Sequence, residues 1–295
     1  MTESRLHIFI GKGGVGKTTV SLGAAFHWAR RGEKVLFLEI GAASSAAPLV
    51  GLEALTYTPR SIAPRLFAAK ITGEDSLKDY LLRQVKMERI YRLLFENRPV
   101  RYFFEVAPAL RDLMLLGKIV HEMERPDSPG PYDRIVVDAP ATGHGLFLFQ
   151  TPRTVRELTR FGPLFDRAEW ILKTLQNRKI THIHIVSLAR PLVVGETLEL
   201  LSSLQRLDLP AEELVVNRPF LSSSDVRARD LRAYLRTPSA DPFYRLLGHR
   251  VLSELHEVAR LKRRLKLPVT WMPEIDNPTS LSNLADGFQK GRNDV

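Results

Sequence analysis

A chain of 295 residues, 44% hydrophobic and 26% charged, has the composition of an ordinary globular protein and the length to bury a substantial core. It contains no cysteine, which excludes disulfides, cysteine-ligated zinc and thiolate-held iron–sulfur clusters, and no apolar run approaches the ~20 residues of a membrane-spanning helix. The formal charge of +10 suits acidic or phosphate-rich partners, but the arginines are spread along the chain. The one short cluster (Arg260, Lys262, Arg263, Arg264, Lys266) reads as a solvated helix face rather than a nucleic-acid groove, so no nucleic-acid partner is expected.

The first predicted strand, Leu6–Ile10, starts so early that no secretory leader is expected, and the expected location is cytoplasmic. It runs directly into Gly11-Lys12-Gly13-Gly14-Val15-Gly16-Lys17-Thr18-Thr19, after which Val20, Leu22, Ala24 and Ala25 continue as a helix. Glycines let the backbone curl through conformations that other residues avoid, so several N–H groups can point at one phosphate. The helix N-terminus adds partial positive charge, Lys17 reaches the terminal phosphates, and the Thr18 hydroxyl is placed for Mg²⁺. A lone glycine-rich turn would say little. A full phosphate loop between a strand and a helix predicts a bound nucleotide with Mg²⁺.

The second strand, Val35–Ile40, holds Glu39 and is followed by Gly41 and Ala42; no carboxylate occurs between Glu39 and Glu53. A helical insertion is predicted over about 52–127, clearest from Ser76 to Glu124 with Leu77, Tyr80, Leu81, Val85, Ile90, Leu93, Leu94, Leu110, Leu113, Met114, Gly117 and Val120. Pro126, Pro129, Gly130 and Pro131 then form a linker back to the strand Arg134–Val137. That strand ends in Asp138, a carboxylate positioned to hold Mg²⁺ beside Thr18. Small residues and glycine follow through His144, a stretch able to change conformation beside a γ-phosphate. A second insertion, about 152–180, carries Val155, Leu158, Phe161, Leu164, Phe165, Trp170, Ile171 and Leu175. The apolar residues of both insertions exceed one narrow stripe. They either pack on each other and the sheet, or form a surface for a client or a second subunit.

Strands His182–Val186, Leu214–Val216 and Val269–Met272 follow, separated by helices around Val193–Leu207 and Phe243–Leu265. Short apolar strands alternating with helices predict a doubly wound, mostly parallel α/β sheet forming one domain over 1–295, with ligands at the carboxyl ends of the strands. The last residues, Leu284 to Val295, are polar and predict no amphipathic membrane helix, hence no stable membrane insertion.

The extra loop lysine, Lys12, resembles the deviant Walker A loop of the partition, cell-division, nitrogenase-iron-protein and arsenite-pump ATPases. The absence of cysteine removes the nitrogenase iron protein. Asp138-Ala139-Pro140-Ala141-Thr142-Gly143-His144, with Leu146, Leu148 and Pro152, resembles the switch II of the arsenite-pump (ArsA) and guided-entry (Get) ATPases, with Ala141 as one extra residue. Val186–Pro191 with Glu196-Thr197 also resembles a stretch of that family, with Arg190-Pro191 in place of Pro–Glu. The resemblance implies that the nucleotide is ATP, and that the chain is a dimerising, cytoplasmic MgATPase that carries a hydrophobic protein client or serves a membrane-protein partner. Lys12 would reach the nucleotide of the second subunit, unless it is simply a solvated loop lysine. Asn217 and Arg218 would contact the adenine, and Pro273 and Glu274 would close over it. The family places an aspartate after the second strand to orient the attacking water, and Gly41 stands there. Glu39, on the same side of the strand, is a substitute base, a structural carboxylate or uninvolved. The other readings are a slow or non-hydrolysing nucleotide-dependent scaffold and a ParA/MinD-like positioning ATPase; the long insertion and His144 speak against the latter.

Overall fold

A computed structural model describes residues 5–85, 108–124, 132–219, 228–237, 241–265, 267–275 and 280–293. Eight strands form one sheet: β1 (Arg5–Ile10), β2 (Val35–Ile40), β3 (Arg60–Ala63), β4 (Leu66–Ile71), β5 (Arg134–Asp138), β6 (Thr181–Ser187), β7 (Ala211–Asn217) and β8 (Val269–Met272). Their spatial order is β3-β4-β2-β5-β1-β6-β7-β8, and every neighbouring pair is parallel except β3–β4. This is the doubly wound α/β fold that the alternation predicts.

The central strands read as unbroken apolar runs because both faces are covered. Alternate residues supply two cores. Leu6, Ile8, Leu36, Leu38, Ile135 and Val137 enter one, and Phe9, Val35, Phe37, Val136 and Val215 enter the other. Helix α1 (Lys17–Arg30) covers the second face together with the C-terminal helix. In chain order the other described helices are α2 (Ala46–Leu49), α3 (Gly73–Val85), α4 (Pro108–Glu124), α5 (Thr142–Thr159), α6 (Pro163–Gln176), α7 (Pro191–Arg206), α8 (Ala228–Leu235), α9 (Pro242–Leu265) and α10 (Leu281–Asn293).

Two expectations need correction. Helix does not fill 52–127, because β3 and β4 form an antiparallel hairpin at the sheet edge. The second helical stretch starts at Thr142, ten residues ahead of the expected boundary at 152, and runs through Pro152 to Thr159. The C-terminal segment forms a helix with Leu284, Ala285 and Phe288 buried against α1. Ile90, Leu93, Leu94 and the linker Pro126–Pro131 lie outside the described residues.

Many of the described apolar residues of the insertions belong to the main core. Leu77, Leu113, Met114, Val120, Val155, Ile171 and Leu175 are buried in the same cluster as the sheet residues of that face. Leu158 and Phe161 are exposed, as is Phe147.

Candidate functional site

Strand β1 ends at Ile10 and the glycine-rich loop crosses to α1, placing 11–19 at the carboxyl end of the sheet beside β5. Gly16, the residue before α1, takes φ 86°, and a Cβ there would lie 2.3 Å from the Asn217 side-chain nitrogen, so conformation and space both demand glycine. Val15 is buried, and its carbonyl accepts a 2.8 Å hydrogen bond from Asn217 Nδ2. Gly13 and Gly14 are exposed at the loop tip.

Lys17, Thr18 and Thr19 form the first turn of α1. Lys17 Nζ donates to the Lys12 carbonyl at 3.1 Å. Burial holds the Lys17 ammonium below the usual lysine range, and the neighbouring Asp138 charge partly restores it. The Thr18 hydroxyl donates to Asp138 Oδ2 at 2.6 Å. Asp138 is 5% exposed, and its other oxygen, Oδ1, has no hydrogen-bond partner among the described residues. Burial pushes this carboxyl up to about 7; the Thr18 hydroxyl and Lys17 oppose the shift, and Glu39 adds to it. A buried carboxylate with an orphaned oxygen, next to a threonine hydroxyl, fits a hard divalent cation with oxygen ligands. Thr18 and Asp138 would hold Mg²⁺, which would neutralise charge on the phosphates.

Glu39 pairs in register with Asp138 across β2–β5. Its carboxylate is taken up by the loop that follows its own strand. One oxygen accepts from the Ser44 hydroxyl, and the other from the backbone N–H groups of Ser45, at 2.5 Å, and Ala46, at 3.1 Å. Gly41 has φ 151°, a backbone shape that side chains disfavour, and Lys70 Nζ pins the adjoining Ala42 carbonyl at 2.7 Å. The loop is therefore built around the glycine that stands where the resemblance would place an aspartate.

Lys12 Nζ forms a 2.5 Å ion pair with Glu196 Oε1 on α7, with both side chains about two-fifths exposed (37% and 42%). Within one chain the second loop lysine thus has an intramolecular partner 184 positions away. On the same helix, the Thr197 hydroxyl meets the Ser187 hydroxyl at 2.8 Å, tying α7 to the end of β6. Arg218 N donates to the Met272 carbonyl, so the ends of β7 and β8, with Pro273 and Glu274 just beyond, adjoin the phosphate loop through Asn217. The amide of Asn217, the residue expected near an adenine, holds the loop carbonyl. Asp138 is followed by three loop residues before α5 begins at Thr142, and Gly145 N donates to the Ala141 carbonyl. Residues 142–144 of the anticipated switch are therefore the first turn of a helix packed on α4, α6 and α7.

A profile of the anion-transporting (ArsA) ATPase family matches residues 4–164, more than half of the chain and the part that carries the loop, Glu39 and Asp138. The chain belongs to this family. Similar proteins include the ATPase BagA of Mycobacterium tuberculosis, 31% identical over 97% of this chain and 89% of that protein. A putative arsenical pump-driving ATPase of Aquifex aeolicus is 32% identical over 51% of this chain and 50% of its own length. An ASNA1 homologue ATPase of Entamoeba dispar is 22% identical over 72% of this chain and 75% of its own. Of the families that the loop resembles, the match is to the ArsA ATPases. Two contacts of this member escaped the sequence reading, the Ser44–Ser45 clamp on Glu39 and the Glu196 partner of Lys12. The serine pair is a local signal that could have been read; the Glu196 pairing has none.

Proposed function

We propose that this ArsA-family chain is a Mg²⁺-dependent ATPase that works as a homodimer. The observation that carries the reading is the Thr18–Asp138 pair, with an orphaned carboxylate oxygen beside Lys17 at the mouth of a phosphate loop. Lys17 and the loop N–H groups bind and orient the phosphates. Thr18 and Asp138 hold the cation, and the rigid strand-end placement of Asp138 lowers the reorganisation needed as charge develops on the transferring phosphoryl group. Lys12 supplies charge across the subunit interface once it leaves Glu196. The exposed Phe147, Leu158 and Phe161 on and beyond α5 support an apolar client as the cargo.

The Glu39 and Gly41 geometry favours one second reading, a slow or non-hydrolysing nucleotide-dependent dimer. Glu39 is occupied by three hydrogen bonds from residues 44–46, and no carboxylate occurs between it and Glu53. Steady-state phosphate release by the purified protein separates the two. Turnover that requires Mg²⁺ and disappears in Lys17→Ala supports the ATPase, whereas tight ATP binding without phosphate release selects the scaffold. Lys17→Ala itself should weaken ATP binding by about 3 kcal/mol, roughly a hundredfold, because a phosphate-bound ammonium is lost; equal calorimetric affinity for mutant and wild type would remove the phosphate-loop assignment.

A further inference from the structure

At the amino-terminal edge of the sheet, away from the phosphate loop by the full length of β1 (about 20 Å for six residues), a polar cleft of about 540 Å³ opens between Arg5, Arg31, Gly32, Glu33, Asp133, Arg134 and Lys179. Four of these residues are cations and two are carboxylates. The carboxylates are already engaged: Glu33 binds the Arg134 Nε–H, while Asp133 accepts from the Lys34 backbone N–H at 2.6 Å and lies 3.7 Å from Arg65. The side chains of Arg5, Arg31 and Lys179 have no hydrogen-bond or ion-pair partner among the described residues.

Arg134 differs from these three because it is built in. Its side chain is 15% exposed and lies over the Trp28 ring, 4.6 Å from the ring centroid. Its Nη1 donates to His7 Nε2 at 2.7 Å. Because arginine only donates, His7 must accept at Nε2 and carry its proton on Nδ1. His7 Nδ1 then donates to His184 Nε2 at 2.9 Å, and His184 Nδ1 donates to Glu213 Oε1 at 2.8 Å. The Thr270 hydroxyl closes the chain on Glu213 Oε2 at 3.0 Å. One directed line of hydrogen bonds thus runs through β5, β1, β6, β7 and β8 and fixes the guanidinium from behind. Its second terminal nitrogen, Nη2, has no protein partner among the described residues. A pre-positioned guanidinium with spare donors, ringed by three cations unpaired among the described residues, has the donor set of an oxyanion site.

We propose that this cleft is a second anion site, separate from the phosphate loop, that takes a small oligophosphate. The lining contains no aromatic residue, and the nearby Trp28 ring is covered by Arg134 and by His7, whose ring centroid lies 4.3 Å away. The site therefore reads charge and oxygen geometry, with no surface for stacking a base. Several cations spread around the cleft suit an anion with several oxygen groups better than a single phosphate.

The test uses the full-length protein carrying Lys17→Ala, in Mg²⁺-free low-salt buffer, titrated calorimetrically with inorganic tripolyphosphate. Binding is expected to persist in this background and to weaken at least tenfold when Arg5→Gln, Arg31→Gln and Lys179→Gln are added. All three are surface side chains without partners among the described residues, so the fold should tolerate their loss. An equal loss of charge elsewhere, through Arg260→Gln, Arg263→Gln and Arg264→Gln, should change binding less than twofold. Absence of binding to the Lys17→Ala protein, an unchanged affinity in the cleft triple variant, or an equal loss in the two triple variants would each overturn the site.

Discussion

Asp138 holds two requirements in opposition. The strand end buries it, which favours the neutral acid, whereas its expected work with Mg²⁺ needs the ionised form. Unfolded, the group ionises near the usual carboxylate value of about 4; folded, it ionises at about 7. Between those values the folded chain keeps a proton that the unfolded chain releases, so this group makes folding progressively less favourable as pH rises from about 4 to about 7. In protein free of nucleotide and metal, Asp138→Asn is therefore expected to raise the melting temperature by about 3 °C or more at pH 8 and to give no gain at pH 4. An equal shift at both pH values would show that the burial penalty is not at this carboxyl. Because the proton and the cation compete for the same oxygens, Mg²⁺ affinity should fall as pH is lowered through 7. Glu39 is the opposite case, a buried carboxylate whose oxygens are both occupied. Glu39→Gln puts an N–H₂ group where either the Ser44 hydroxyl or two backbone N–H groups now donate. It is expected to cost about 1–3 kcal/mol in denaturant unfolding, an effect on the loop first and on turnover second. Gly41→Asp should not raise phosphate release, because aspartate at φ 151° costs roughly 1–3 kcal/mol and the loop must rebuild to accept it. A faster Gly41→Asp enzyme in a steady-state assay would refute that.

At the level of elements, Lys12 joins the phosphate loop to α7 through Glu196, and a partly exposed pair of this kind contributes only about 0–1 kcal/mol. A contact that weak can be exchanged for another. If Lys12 serves a second subunit, Glu196→Gln releases it and should lower the ATP concentration at which dimers appear in sedimentation, while Lys12→Ala should raise it. Identical dimerisation in both variants would confine Lys12 to its own chain. These elements differ in how openly the sequence announces them. Leu6–Ile10 and Val35–Ile40 are legible because covered strands need apolar side chains on both faces. The β3–β4 hairpin is hidden because it turns at Pro64-Arg65, with arginine at φ 61° in place of the glycine or asparagine that marks such turns, and because Ala68-Ala69 lacks the branched side chains of a typical strand. Helix α10 is hidden because only a few side chains, Leu284, Ala285 and Phe288 among them, carry its buried face. The phosphate loop and Asp138 are local patterns and can be read directly. Lys12–Glu196 and Asn217–Val15 join residues far apart in sequence, and only the folded sheet brings them together.

Across the whole molecule, the nucleotide end of the sheet and the helical layer are joined by very little chain. Asp138 closes β5, residues 139–141 form the turn, and α5 begins at Thr142. Helix α5 packs against α4, α6 and α7, and α4 packs against α3, so a change at the γ-phosphate has a short route into most of that layer. Packed helices shift between discrete arrangements more readily than they deform, so a small displacement of the turn should move α5 as a unit. The same layer displays Phe147, Leu158 and Phe161, the residues that would feel the movement most directly at the surface. Hydrogen exchange across 108–124 and 142–176 should therefore be slower with a non-hydrolysable ATP analogue than with ADP, by about fivefold for ~1 kcal/mol of added stability against opening. The difference should shrink in Lys17→Ala at nucleotide concentrations that saturate only the wild type, because the variant holds the phosphate that drives it far more weakly. Identical exchange in the two nucleotide states of the wild-type protein would reduce these helices to a cover for the sheet, with no part in reading the nucleotide.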